Sequence, residues 1–308
     1  MTSDGEIICP NCKYKLLLET KGNDYFCPRC NKIYPHRNGI ISFVDENEEK
    51  VGYKNSYFFE LREVEDKHFW FKARKKLILY CVKKYCQRII NSKHKMLEIG
   101  CGNGSVLQYL KENGIDCQGG DLFIEGLKIY REMAEVPLYQ VDALNLPFRE
   151  YFDIIGLFDV IEHIDEDRKV LKEAYKALKS NGKILITVPT YKKLWGRYDK
   201  LSFHKRRYSK TELIIKLRNA GFAIEKISYF VSLIFPVLLL FRYFHNIKGK
   251  NQSDEEFLKK EIQIMPLLNR VFLWILEIEI KLINLLHFPF GSSLLAIARK
   301  GKSESRIL

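Results

Sequence analysis

An α/β fold with a mostly parallel central sheet is what this 308-residue sequence predicts. Two observations carry the prediction. The stretch LEIGCGNGS, Leu97 to Ser105, passes from apolar residues into glycines at alternate positions, Gly100, Gly102 and Gly104. That pattern is a buried strand, a tight turn and a helix start. Asp121 closes the next predicted strand about 20 residues on, the offset at which an acid can meet a ribose diol. Glycines in such a turn let the backbone approach a ligand closely, and the helix that follows presents free N–H groups.

The glycine turn, with Glu98 before it and Asp121 after it, resembles the class I S-adenosylmethionine-dependent methyltransferases. The resemblance implies a Rossmann-like seven-stranded sheet. It implies that Gly100, Gly102 and Gly104 hold the methionine part of the donor, that Glu98 braces the turn, and that Asp121 holds the ribose. Asp142, in YQVDALNLPF, then sits near the adenine amino group. Leu122, Ala143 and Phe158 join the same cofactor set. FDIIGLFDVIEHI, Phe152 to Ile164, corresponds to the fourth strand and the segment facing donor and acceptor, and LKSNGKILITVP, Leu178 to Pro189, to the fifth strand. A nucleotide-binding Rossmann domain of another kind is the alternative. The G-x-G-x-G spacing and the acids downstream disfavour an oxidoreductase.

Five segments follow from the pattern. They are a zinc ribbon at 1–46, a helical linker and lid at 47–93, the donor-binding core at 94–230, an apolar helical insertion at 231–290, and a last strand with tail at 291–308. The start of the chain is acidic, without the apolar core of a signal peptide. Cys9, Cys12, Cys27 and Cys30 form two C-x2-C knuckles, a spacing that points four thiolates at one structural Zn²⁺. The continuation NKIYPHRNGIISFVDE, Asn31 to Glu46, resembles the small zinc-ribbon family that activates methyltransferases as a separate subunit, here fused in cis. Cys81, Cys86, Cys101 and Cys117 are scattered and read as reduced core residues of a cytoplasmic protein.

The helical pattern from Tyr57 to Ile90 contains His68-Phe69-Trp70-Phe71 ahead of Ala73-Arg74-Lys75-Lys76. This "HFWF.AR" run resembles one group of these methyltransferases. Its aromatics either cover the donor pocket or pack in the core, and Arg74 is expected to reach the methionine carboxylate.

Methyl transfer from a sulfonium mostly needs positioning, and an acceptor of high pKa also needs a base. His163, in Asp159-x-x-Glu162-His163, is the candidate base. The same D-x-x-E-H pattern resembles the ubiquinone-biosynthesis O-methyltransferases, in which such a cluster can hold a divalent cation; a purely structural role for Glu162 and His163 is the alternative. Val188 to Leu213 brings His204, Arg207 and Tyr208 to the acceptor side, ahead of a capping box at Ser209 and Glu212. Histidine, guanidinium and phenol suit an acidic or phosphorylated acceptor. Alternatively, Arg206 and Arg207 only clamp acids of the domain.

Phe222–Phe230 and Gly291–Lys300 read as the last two strands, with the insertion between them. Ser228 to Phe244 is almost wholly apolar but is broken by Pro236, and Met265 to Phe290 carries Glu277, Glu279 and Lys281. Both read as interfacial helices, peripheral or monotopic on a membrane. A helical hairpin packed on the domain or across a dimer is the alternative.

The net charge is +13. It concentrates in 51–95 and 192–218, whereas 96–191 is acidic, so a polyanionic neighbour is expected. The functional expectation is methyl transfer to a lipid-linked or membrane-proximal acceptor, such as a prenyl quinone precursor or a polyprenyl-linked saccharide. The alternatives are an RNA or translation-factor methyltransferase and a non-catalytic cofactor-binding scaffold.

Overall fold

The computed structural model describes residues 5–19, 23–44, 62–91, 94–240, 253–254 and 265–301. The expected charged linker at 46–50 and the tail beyond 301 lie outside them.

The ribbon contributes six short strands: β1 (Glu6–Ile7), β2 (Leu17–Leu18), β3 (Tyr25–Phe26), β4 (Ile33–Tyr34), β5 (His36–Arg37) and β6 (Ile40–Ser42). The core adds β7 (Met96–Ile99), β8 (Gln118–Asp121), β9 (Leu138–Gln140), β10 (Phe148–Arg149), β11 (Phe152–Phe158), β12 (Leu178–Pro189), β13 (Phe222–Phe230) and β14 (Ser293–Lys300). The main sheet runs β13-β14-β12-β11-β7-β8-β9-β6-β5. From β12 through β6 the strands are parallel, and β14 inserts antiparallel between β12 and β13.

Helices cover both faces, so the inner strands are largely buried, polar residues such as Glu98 and Asp121 included. Every residue of Met96–Ile99 is buried, as expected of a parallel strand covered on both sides. Chain order reverses direction between β7 and β11, which pair with Glu98 opposite Gly156. The carboxyl ends of strands at such a switch point open the crevice in which doubly wound sheets bind ligands.

The main sheet has nine strands, not the expected seven, because the ribbon adds two. Strand β6 pairs parallel to β9, matching Ile40 with Leu138, and β5 closes the hairpin. Strand β1 also pairs with β10. Phe43 fills the joint, with ring centroids 5.4 Å from Tyr34, 6.3 Å from Tyr139 and 6.1 Å from Phe148. An exposed edge at β9 would present a row of unpaired backbone groups, and the ribbon covers it.

The expected continuous helix over 57–90 is interrupted. A helical turn at 62–67 stops at His68, which is extended and caps α1 (Phe69–Tyr85) by accepting from the N–H of Trp70. Helices α2 (Ser105–Glu112) and α3 (Ile124–Arg131) follow β7 and β8; α4 (Asp167–Ala177) precedes β12; α5 (Arg197–Leu201) and α6 (Lys210–Asn219) precede β13.

The insertion supplies a helical segment at 235–240 and α7 (Pro266–Leu282). Helix α7 packs on α1, with Phe69 and Phe272 5.3 Å apart and an ion pair between Lys76 and Glu277. Glu279 is fully buried yet satisfied, because its carboxylate accepts from the N–H groups of Ser232 and Leu233 at 2.9–3.0 Å. That bond explains an acid in an apolar helix. Among the described residues no helix is long and apolar enough to cross a membrane.

Candidate active site

A cavity of about 1230 Å³ opens at the carboxyl ends of β7, β8 and β11. Glu98, Gly100, Gly102, Asp121, Leu122, Asp142, Ala143 and Phe158 all line it. Gly104 does not; it starts α2 with φ +76, and a Cβ there would lie 2.2 Å from the Tyr130 ring. Gly100 has φ +73, and its Cβ would lie 2.5 Å from Val160. Any side chain at these positions would displace the turn, which makes a backbone cradle of the kind that a nucleoside donor fits.

Asp121 holds that cradle in shape. Its Oδ2 accepts from the N–H of Gly102 at 2.8 Å and its Oδ1 from the N–H of Phe123 at 2.9 Å. Burial nonetheless raises its pKa. Asp142 accepts from the N–H of Leu144 at 2.8 Å and so shapes its own loop. Glu98 is fully buried with Oε2 unpartnered, and burial pushes it up to about 8.

Arg74 lines the cavity with Glu98 and the glycine turn, and its guanidinium is already engaged there. It is ion-paired with Asp159 at 2.7 Å, and its Nη2 donates to the carbonyl of Phe158 at 2.6 Å. Asp159 itself has φ +57 and accepts from the Thr187 hydroxyl at 2.9 Å. A non-glycine residue held in the left-handed region is a locally strained backbone, the kind of strain found at functional sites.

On the acceptor side, His163 sits on a short 3₁₀ turn, Ile161–His163, with its ring edge-to-face with His204 at 4.7 Å. Burial, reinforced by His204, lowers His163 to about 4, so it is neutral near pH 7 and holds an added proton only weakly. His204 Nδ1 bonds Asp199 at 2.9 Å. Burial alone would raise Asp199, but bonds from His204 and Arg207 hold it at about 2.

Two expected acceptor residues serve the scaffold instead. Arg207 is at the cavity wall, but its guanidinium forks onto Asp199 at 2.7 and 3.0 Å and reaches the Thr190 carbonyl at 3.1 Å. Tyr208 is fully buried away from the cavity, donating to Asp167 at 2.7 Å. Arg206 is paired with Asp167 at 3.1 Å. The clamping alternative describes these arginines.

Glu162, His163 and His204 offer ligand atoms within 4.8 Å of one another. Glu162 is fully buried, and neither of its carboxylate oxygens has a protein partner. A carboxylate and two imidazoles are a donor set that suits a divalent cation.

The ribbon thiols form the second such group. Cys9, Cys12, Cys27 and Cys30 converge within 4.8 Å. Cys9 and Cys30 lie 3.6 Å apart, and Cys12 and Cys27 lie 3.4 Å apart. A tetrahedral Zn²⁺ with Zn–S bonds of about 2.3 Å needs sulfurs roughly 3.8 Å apart, so the four fit one ion. The Tyr34 hydroxyl lies 3.0 Å from Cys9 Sγ, where it can support a thiolate.

The far end of the cavity is apolar. Phe235, Leu238 and Leu239 of the 235–240 segment line it with Met265, Leu268 and Phe272 at α7. Three further residues bear on the site; sequence reasoning named Asp199 within the acceptor-side segment without a role and missed Glu65 and Thr187. Glu65 lies on the cavity wall, Asp199 organises His204 and Arg207, and Thr187 fixes Asp159. Asp199 stood in the acceptor-side run five residues before His204, and nothing local marked Glu65 or Thr187.

A glycine cradle braced by Asp121, at the switch point of a sheet of this topology, defines a class I S-adenosylmethionine-dependent methyltransferase. The family model described as a methyltransferase domain matches residues 67–227, more than half of the chain, and the chain belongs to that family. The ubiquinone biosynthesis O-methyltransferase of Idiomarina loihiensis is 29% identical over 100 residues, 30% of this chain and 41% of that protein. The ubiquinone/menaquinone biosynthesis C-methyltransferase of Campylobacter jejuni is 23% identical over 231 residues, 71% of this chain and 85% of that one. The first three curated relatives are matched over only 34–50% of their length. Two solved structures share the fold. Phosphoethanolamine N-methyltransferase 2 of Haemonchus contortus, bound to phosphomonomethylethanolamine and S-adenosylhomocysteine, has a TM-score of 0.53 at 20% identity, covering 82% of this chain and 59% of that one. A methyltransferase solved with the Trm112 activator of Haloferax volcanii has a TM-score of 0.52 at 16% identity, covering 80% and 97%.

Proposed function

We propose that the protein transfers a methyl group from S-adenosylmethionine to an acceptor that carries an apolar chain, working at a membrane surface. The carrying observation is one continuous cavity, with the glycine cradle at one end and the apolar side chains of 235–240 and α7 at the other. Prenyl quinone precursors and polyprenyl-linked saccharides have that chemistry. The quinone-pathway relatives support the first.

The bound donor supplies a methyl group already activated on a sulfonium. Gly100 and Gly102 hold its methionine part and Asp121 its ribose, with Leu122, Asp142, Ala143 and Phe158 around the adenine. The chain then has to orient the acceptor, exclude water and take a proton. His163 and His204 are the groups for the proton. Asp199 orients His204 through Nδ1, and His163 is neutral near pH 7. Four ribbon thiolates hold a structural Zn²⁺, and the ribbon acts in cis as a fused activator that stiffens the core.

Helix α7 also turns an apolar stripe outward. Leu267, Val271 and Trp274 are 73%, 42% and 63% exposed, and Arg270 and Lys281 lie beside them. An apolar stripe with tryptophan and flanking cations suits an anionic lipid surface.

The test uses methyl-labelled S-adenosylmethionine with a cell extract split into lipid, RNA and protein fractions. Label in the lipid fraction, lost on Asp121→Ala, supports the reading. Label confined to RNA or protein sinks it. Trp274→Asp should abolish co-sedimentation with anionic vesicles while leaving donor binding intact.

A further inference from the structure

We infer that Glu65, on the 62–67 helix, and Glu98, on β7, together form the seat of the donor's α-ammonium group. The inference rests on the donor site described above and adds a residue from outside the family-matched segment. Both carboxylates line the cavity at the glycine turn. Both are buried, at 7% and 2% exposure. Each leaves its Oε2 without a protein partner. The side chains of Asn103 and Ser105 bond Glu65 and hold it over the turn.

Burying two carboxylates near each other is unfavourable unless a cation joins them. Burial, reinforced by Glu65, raises Glu98, and burial raises Glu65. Arg74 and Lys75 stand close enough to lower Glu65, and Arg74 to lower Glu98, but neither cation bonds the orphaned oxygens. Arg74 is tied to Asp159 and the Phe158 carbonyl. Lys75 reaches Asp66 at 3.0 Å and Ser105 at 3.3 Å. The two unpartnered oxygens are therefore left for a hydrogen-bonding cation of the ligand. S-adenosylmethionine carries two cationic groups, a sulfonium and an ammonium. Only the ammonium has N–H donors to satisfy orphaned carboxylate oxygens. The 62–67 helix thus recognises the amino-acid end of the donor, and donor binding stabilises its docking over the turn.

The test is calorimetric binding to wild type and Glu65→Gln with three ligands. S-adenosylmethionine carries both cations, S-adenosylhomocysteine keeps only the ammonium, and 5′-methylthioadenosine lacks the whole amino-acid end. The variant should bind the first two about tenfold to a hundredfold more weakly, the worth of a charged hydrogen bond. Its affinity for 5′-methylthioadenosine should stay within about twofold. Equal loss for all three overturns the inference, because Glu65 then only shapes the cavity. Loss for S-adenosylmethionine alone overturns it in favour of the sulfonium, and no loss overturns it outright. If wild type binds none of the three, the donor reading itself falls. A thermal melt of Glu65→Gln reports folding. If the variant does not fold, deaminated S-adenosylhomocysteine against wild type decides: it should bind as weakly as the inference requires, and unchanged affinity overturns it.

Discussion

Replacing Glu98 with glutamine should make the ligand-free protein less sensitive to alkali. Burial holds this carboxyl at about 8, against an ordinary value of 4.5. The folded chain therefore keeps a proton that the unfolded chain releases. Stability from this group is full below pH 4.5, declines as pH rises through the window, and levels off above about 8. Each pH unit inside the window is about 1.4 kcal/mol. Across the roughly three units from pH 5 to pH 8, the loss is about 4 kcal/mol. Glutamine cannot ionise, so Glu98→Gln should escape that loss. Urea unfolding at pH 5, 6.5 and 8 reads the difference between variant and wild type, which should grow by about 4 kcal/mol in favour of the variant. Two unfolding curves that stay parallel across the range, with a constant gap, would refute the reasoning, since Glu98 would then already be ionised in the folded protein.

Three further outcomes follow from the same geometry. Asp199→Asn strips His204 and Arg207 of their shared partner and leaves a buried guanidinium uncompensated; it should cost about 3–5 kcal/mol in chemical denaturation and lower turnover more than donor affinity. Tyr208→Phe removes the bond to Asp167; it should cost about 1–3 kcal/mol, with turnover per folded molecule unchanged, and a selective loss of turnover would return Tyr208 to the acceptor side. Metal analysis should find one zinc per ribbon, and chelation should lower the melting temperature of the whole protein.

The donor half of the site was legible because its signals are local. A strand, a glycine turn and an acid at the next strand end lie within 25 residues of one another, and each glycine answers to a backbone need at that point. The acceptor half was less legible. Histidine, arginine and tyrosine crowd together in 204–208, but sequence does not say which of them turns inward. Asp199 and Asp167 decide that, by binding Arg207 and Tyr208. Glu65 stood in the charged part of the Tyr57 to Ile90 helical pattern with nothing to mark a role, and only the approach of the 62–67 helix to the glycine turn gives it meaning. The pairing of β6 with β9 joins segments roughly a hundred residues apart, and no short-range pattern encodes such a partner.

That pairing has a consequence for how the protein fails. A β-module carried on a separate subunit can leave; one tethered in the same chain stays at high local concentration whatever the expression level. The cost is shared fate. If the knuckles lose their order, β6 peels away and β9 becomes a bare template for the strand of another molecule. Metal starvation or thiol oxidation would then appear first as aggregation through that edge, ahead of any slowing of the chemistry at the opposite side of β7.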